Sequence, residues 1–390
     1  MGLTLAKRMK RLGTETAFGV VTKVKLLEAQ GRSIHKLHIG QPDFLTPANV
    51  CVAGITAIGT GKHGYGQPIG ELELREAAAQ YLSRTRNITT SPDNIVVTPG
   101  AKLIIALAMN AVVNPGDEVI VPDPGYPIYA SMANLLGARV VSLPLRNKNS
   151  FAPDLHELKS LITDRTTMLV LNSPHNPTGA VLDLKMLAGI AEIVRRYPKI
   201  WILSDEVYDQ IIYGEAHHSI ISQPDMQERT ILMHGHSKTY AMTGWRLGYC
   251  LIPDMLKAAF EKLMINYASC TAVMIQAAGA EALTGPQEVV FERMVEFRTR
   301  RARVVELLRD IPGVTCHIPD GAFYVFPNIE GIGVPCETLE ADLLTKADVA
   351  VLAGTAFGQG GKGHLRLSYA NSMENLEAGI KAMGKHLATY

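Results

Sequence analysis

Residues 168–179 read Met-Leu-Val-Leu-Asn-Ser-Pro-His-Asn-Pro-Thr-Gly. Four apolar residues without polar alternation are what a strand buried on both faces requires, and the prolines, asparagines and Gly179 that follow end it in a turn. The pattern recurs outward in both directions. Ile231-Leu-Met233 is again apolar throughout, and strand candidates fall at Ile95–Thr98, Glu118–Val121, Arg139–Leu143, Met168–Asn172, Trp201–Ser204, Ile231–His234 and Leu247–Leu251. Between them, Glu71–Arg84, Leu103–Val113, Asp183–Arg196 and Met255–Tyr267 carry apolar residues at mixed three and four spacing, the helical period. This alternation, from about residue 70 to 285, predicts an α/β domain in which helices cover a mostly parallel sheet.

Beyond Gly285-Pro286 the pattern becomes one amphipathic helix over Glu288–Asp310, short strands near Val314–His317 and Ala322–Phe326, and a final helix from about Met373. That predicts a smaller α+β domain over residues 286–390. Residues 46–285 form the large domain, and residues 1–45, helical and then extended without a core of their own, are expected to pack with the small one. Arg298, Arg300, Arg301 and Arg303 are interleaved with Glu292, Glu296 and Glu306, which predicts a solvated helix face and no nucleic-acid site.

Composition narrows the function classes. The 390 residues are 47% apolar, and 38 basic against 37 acidic residues leave a net charge of +1, so no global field favours a nucleic acid or an anionic membrane. Five widely spaced cysteines, Cys51, Cys250, Cys270, Cys316 and Cys336, contain no Cys-x-x-Cys pair; no metal site is expected, and a reducing compartment fits. Lys7, Arg8, Lys10 and Arg11 precede no apolar signal core, and the uncharged stretch Leu263–Ala280 is too polar to span a bilayer. The expectation is a cytoplasmic protein.

Five segments lie where a parallel sheet holds its ligand, just past the carboxyl ends of strands. Thr98-Pro99-Gly100-Ala101-Lys102 opens a helix, so the amides of Ala101 and Lys102 face any anion at its N-terminus; it also reads as a plain strand-to-helix turn. In Asn172–Gly179 the prolines suffice for a turn, or they hold Asn176 rigidly towards a ligand. In Ser204-Asp-Glu-Val-Tyr208 a carboxylate, Asp205, ends an apolar strand, where burial without a cation is costly. Ser237-Lys238, followed by Thr243-Gly-Trp-Arg246, is either chance or a nucleophile and base. Arg366 lies in His364-Leu-Arg-Leu-Ser-Tyr369, on a strand of the small domain.

Together these are the requirements of pyridoxal phosphate: a lysine for a Schiff base, a carboxylate for a pyridine nitrogen, hydrogen bonds for a phenolate, and an anion cradle. From Ile39-Gly-Gln-Pro-Asp-Phe44 through Tyr65, Pro115-Gly-Asp-Glu118, Asn172–Gly179, Ser204–Tyr208, Ser237–Gly248 and Gly321-Ala-Phe-Tyr324 to Arg366, the chain resembles the class I aminotransferases of the aspartate aminotransferase superfamily, fold type I. The resemblance implies a seven-stranded, mostly parallel sheet in the large domain and an amino-acid:2-oxo-acid aminotransferase with ping-pong kinetics. It implies Lys238 as the Schiff-base lysine and proton carrier, Asp205 on the pyridinium nitrogen, and Asn176 and Tyr208 on the ring oxygen. Tyr126 would stack on the ring, and Ser237, Arg246 and the amides of Ala101 and Lys102 would hold the phosphate. Arg366 would grip the substrate α-carboxylate near Gly40. Tyr65 would reach the phosphate of a neighbouring subunit, implying a homodimer with shared sites.

Two positions depart from common family forms: Ala101 lacks the hydroxyl that some relatives place in the cradle, and Gln41 stands where many have Glu. No second cation for a distal carboxylate is identifiable in the sequence. The same scaffold carries β-lyases and cyclopropane-forming synthases, which share Lys238, Asp205 and Arg366. A Ser237/Lys238 hydrolase and a non-enzymatic regulator are the readings from other classes.

Overall fold

The computed structural model describes residues 3–15, 17–214 and 216–390, with only the backbone of Ala17 and Phe18. In chain order the strands are β1 His35–Lys36, β2 Ile95–Thr98, β3 Glu118–Asp123, β4 Arg139–Pro144, β5 Thr166–Asn172, β6 Trp201–Asp205, β7 Thr230–Gly235, β8 Gly248–Leu251, β9 Tyr324–Val325, β10 Val349–Ala350, β11 Leu352–Ala353 and β12 Leu365–Ser368. The helices are α1 Ala17–Ala29, α2 Ala48–Gly59, α3 Leu72–Arg86, α4 Lys102–Val112, α5 Ile128–Leu136, α6 Leu155–Leu161, α7 Leu184–Arg195, α8 Lys257–Ala268, α9 Val273–Thr284, α10 Glu288–Arg309, α11 Cys336–Lys346 and α12 Met373–Leu387.

Seven strands form one sheet in the order β2-β8-β7-β6-β5-β3-β4, with β8 antiparallel to both neighbours and the remaining pairs parallel. Strands in the middle are buried along almost their whole length, whereas the edge strand β4 alternates. The period of two divides the core. Val119 and Val121 face a cluster with Ile104, Leu107, Tyr129 and Phe260, while Ile120 between them faces one with Leu187, Ile190 and Val194. Because β2, β3, β5, β6 and β7 point the same way, their carboxyl ends share one edge of the sheet, and every loop singled out in the large-domain sequence emerges there.

A second core holds α10 and α12 against β9, β12 and Leu37, with Phe297, Phe323 and Tyr369 among its buried residues. The first 45 residues divide between the two. Strand β1 pairs in parallel with β10, whereas Arg11 donates to the Leu135 carbonyl, the Gly13 carbonyl accepts from Ser131, and Glu15 contacts Lys102 on the large sheet's helices.

Three expectations need correction. Val314–His317 is not a strand; Thr315 makes only an isolated bridge to Asn328, a single pair between Gly313 and Pro319 being too short to build a ladder. Strand β8 starts at Gly248, because Arg246 turns the chain at φ +55. The arginines of α10 are only in part a solvated face, since Arg298 is exposed and Arg303 partly so. Arg300 is buried between Asp43 (2.7 Å) and Glu296 (2.8 Å), Arg301 lies 4.2 Å over the Tyr213 ring, and Arg298 donates to the Tyr213 carbonyl. Their stems pack while their guanidinium groups tie α10 to neighbouring segments.

Candidate active site

The anion cradle comes from glycines that let three backbones meet. A Cβ on Gly248 would stand 2.4 Å from the Ala101 nitrogen, and one on Gly235 would stand 3.2 Å from the Ala101 Cβ. Strands β7 and β8 therefore press directly on the start of α4. Gly100 has φ +88, and a Cβ there would reach 2.2 Å from Arg246 Nη2, so the guanidinium lies against the turn. Arg246, exposed and bonded to the Thr243 carbonyl at 2.9 Å, joins the amides of Ala101 and Lys102 at one helix N-terminus, and Ser237 follows the end of β7. This arrangement suits a phosphate.

At the end of β6, Asp205 is 4% exposed. Burial raises its pKa to about 6, even though the Tyr129 hydroxyl donates to it at 2.5 Å. The Tyr208 hydroxyl, three residues on, is 2.7 Å from that of Tyr324. From the next strand, Lys238 Nζ donates to the Gly40 carbonyl at 2.6 Å. Burial, then the charge of Arg366, lowers the Lys238 amine to about 8. Gly40 admits no side chain, since a Cβ would lie 2.1 Å from the Tyr324 hydroxyl oxygen.

Arg366, from β12, is 4% exposed and lies between the rings of Tyr324 (4.5 Å) and Phe357 (4.9 Å). Its Nη1 donates to Asn176 Oδ1 at 3.2 Å, its Nη2 donates to the His38 carbonyl, and its Nε is buried without a hydrogen-bond partner. Burial lowers its pKa. Asn176 is fixed by its own amide, which donates to Asn172 Oδ1 at 2.9 Å. Tyr126 borders the group, its ring 5.6 Å from that of Tyr129 and 5.7 Å from Lys102 Nζ. Tyr65 stands apart, 94% exposed; its own chain does not bring it to this cluster.

Four contributors went unrecognised in the sequence. Tyr129, in the first turn of α5, lies close in sequence to Tyr126, which precedes that helix, and the two rings meet edge to face. Tyr324 appears in the resembling segment Gly321–Tyr324, but nothing local announces that it would meet Tyr208. Glu15 and His38 come from distant segments and carry no local signal.

The family profile described as aminotransferase class I and II matches residues 32–383. The chain belongs to that family. An aspartate aminotransferase of Pyrococcus horikoshii is 42% identical over 351 residues, covering 90% of this aminotransferase and 88% of that protein. The solved aspartate aminotransferase from Rhizobium meliloti superposes with a TM-score of 0.94 at 32% identity, over 99% of each chain. The aromatic aminotransferase from Pyrococcus horikoshii gives 0.89 at 38% identity, over 94% of this chain and 99% of that one. These relatives favour amino-group transfer over the β-lyase alternative, and their names divide between aspartate and aromatic substrates. The fold is that of a fold type I aminotransferase, an enzyme dependent on pyridoxal phosphate. Among the described residues, no helix is long and apolar enough to cross a membrane.

Proposed function

We propose that this aminotransferase holds pyridoxal phosphate at the cluster around Lys238 and exchanges α-amino groups between amino acids and 2-oxo acids there. One observation carries the reading: a carboxylate raised to about 6, an amine lowered to about 8 and a buried guanidinium converge at the carboxyl edge of the sheet. In each, burial outweighs the charges nearby among the described residues, and a cofactor and a substrate carboxylate would offset that cost.

Asp205 would stabilise the protonated ring nitrogen, Asn176 and Tyr208 would hydrogen-bond the ring oxygen, and Tyr126 would cover one ring face. Ser237, Arg246 and the amides of Ala101 and Lys102 would hold the phosphate. When bound, the cofactor supplies the electron sink that makes the substrate α-hydrogen acidic. Arg366 grips the α-carboxylate with its planar fork, beside Asn176 and the Gly40 loop. Lys238 Nζ then takes and returns the α-proton. An amine lowered to about 8 is partly neutral near neutral pH, as this role requires.

Tyr65 is exposed and is proposed to serve the phosphate of a second copy, giving a homodimer with composite sites. We divide the chain into a large domain over residues 46–285 and a small one over 286–390, which the N-terminal segment joins through β1 while its start lies on the large domain. The five cysteines are free, which supports a cytoplasmic location. The test is spectroscopic. Each of the twenty amino acids, added alone to the cofactor-loaded protein, is screened for conversion of the aldehyde spectrum to the amine spectrum, then for its return with 2-oxoglutarate, pyruvate or oxaloacetate. No conversion by any amino acid contradicts the reading; release of ammonia and a 2-oxo acid from one amino acid alone would favour the β-lyase.

A further inference from the structure

Glu15 precedes α1, far in sequence from every active-site loop, yet its Oε2 accepts from Lys102 Nζ at 2.6 Å and from the Tyr126 hydroxyl at 3.1 Å. Its side chain is 21% exposed and that of Lys102 is 43% exposed, so the pair stands at the mouth of the site. Through Tyr126 and Lys102, Glu15 adjoins the proposed cofactor site, near enough for its charge to act on the Lys238 amine, the Arg366 guanidinium and the Tyr324 hydroxyl.

We propose that Glu15 is a charge filter for the substrate side chain: its carboxylate, seated on Lys102 and Tyr126, disfavours substrates that carry a second carboxylate. The inference rests on the reading that Arg366 takes the α-carboxylate and Arg246 the phosphate. Lys102 is then the cation that a distal carboxylate would meet at this mouth, and an anion from the chain's own N-terminal segment already lies against it. A like charge within about 4–6 Å disfavours an ionised group by roughly one pKa unit, or about tenfold. An exposed ion pair kept only as a latch would contribute little to stability and would not discriminate among substrates.

The experiment compares wild type, Glu15→Gln, Lys102→Gln and the double variant, all loaded with pyridoxal phosphate. The ratio of kcat/KM for aspartate to that for phenylalanine should rise roughly tenfold in Glu15→Gln. Maleate, an unreactive dicarboxylate, should bind that variant correspondingly tighter, read from the cofactor absorbance and from the shift in Tm. Both gains should vanish when Lys102→Gln is added. An unchanged ratio, a fall in maleate affinity, or a gain that survives Lys102→Gln would overturn the filter. Failure of wild type to turn over any amino acid would count against the aminotransferase chemistry, and the maleate titration would still decide the role of Glu15.

Discussion

Asp205 and Glu206 are adjacent residues, 4% and 1% exposed, and their side chains serve opposite ends. Glu206 belongs to a buried network with Arg86 (2.8 Å), His217 (2.9 Å) and Ser204 (2.8 Å). Arg86 also reaches Asp209 (2.7 Å), which meets His234 (2.8 Å) and Tyr81 (2.6 Å). Burial alone would raise the Glu206 carboxyl, but Arg86 and then His217 hold it at about 2; Asp209, likewise opposed by burial, is lowered by His234 and Arg86. Asp205 has a phenol where Glu206 has a guanidinium, and burial wins. The difference teaches that depth does not set these ionisations; the presence of a built-in counter-charge does. The network around Glu206 carries its own counter-charge in Arg86, whereas Asp205 is proposed to receive one from the cofactor.

Removing charges on either side should therefore have opposite consequences. The largest effect is on catalysis: Lys238→Ala should lower turnover by about 10⁴-fold or more while the protein still takes up the cofactor through its phosphate. Near wild-type turnover would remove Lys238 from the chemistry. Next in size, Arg86→Ala should cost about 3–5 kcal/mol of folding stability by leaving Glu206 and Asp209 buried and uncompensated. A loss under about 1 kcal/mol in urea unfolding would mean that water replaces the guanidinium and the two regions do not differ as described.

Smaller again is Arg366→Lys, which keeps the charge but loses the fork. Its kcat/KM for amino acids should drop roughly 10- to 100-fold, the equivalent of one or two charge-assisted hydrogen bonds. Amines without a carboxylate should be nearly indifferent; equal losses for both would make Arg366 a fold residue. The smallest effect concerns Tyr65. If Tyr65→Ala is severe alone, mixing it with Lys238→Ala should restore up to about half of wild-type activity per heterodimer, one site being free of both defects. Demonstrated heterodimers that stay inactive would place Tyr65 outside the partner's site.

The large sheet was legible because its strands are uninterrupted apolar runs such as Met168–Leu171, and because the loops that matter follow those runs directly. Helix α2, whose Val50, Val52, Ile55, Thr56 and Ile58 are β-branched, gave no clear helical signal, since its form is set by packing against α9. Asp205, Lys238 and Arg366 could be named from local context and family resemblance, and in the structure they lie near enough for Asp205 and Arg366 to act on the Lys238 amine. What was not legible is long-range: Glu15 on Lys102, Tyr324 on Tyr208, and the arginines of α10, whose stems found aromatic and carboxylate partners across the fold. Lys102, named for its amide, carries a side chain paired with Glu15, and is the cation proposed above for a distal carboxylate.

The central claim is that Asp205 waits for a cation, and Asp205→Asn tests it most directly through apparent Tm measured with and without pyridoxal phosphate across pH 4–8. A carboxyl whose folded pKa is raised to about 6 from 3.8 binds more protons folded than unfolded. Its penalty therefore grows as pH rises from about 4 to 6 and is constant above that. Without cofactor, the variant should match wild type near pH 4 and exceed it by on the order of 2 °C at pH 8. With cofactor the order should reverse, because the ring nitrogen then supplies wild type with the missing counter-charge. A variant less stable than wild type at pH 8 in both states would contradict the account, showing that Asp205 is already compensated within the chain as Glu206 is.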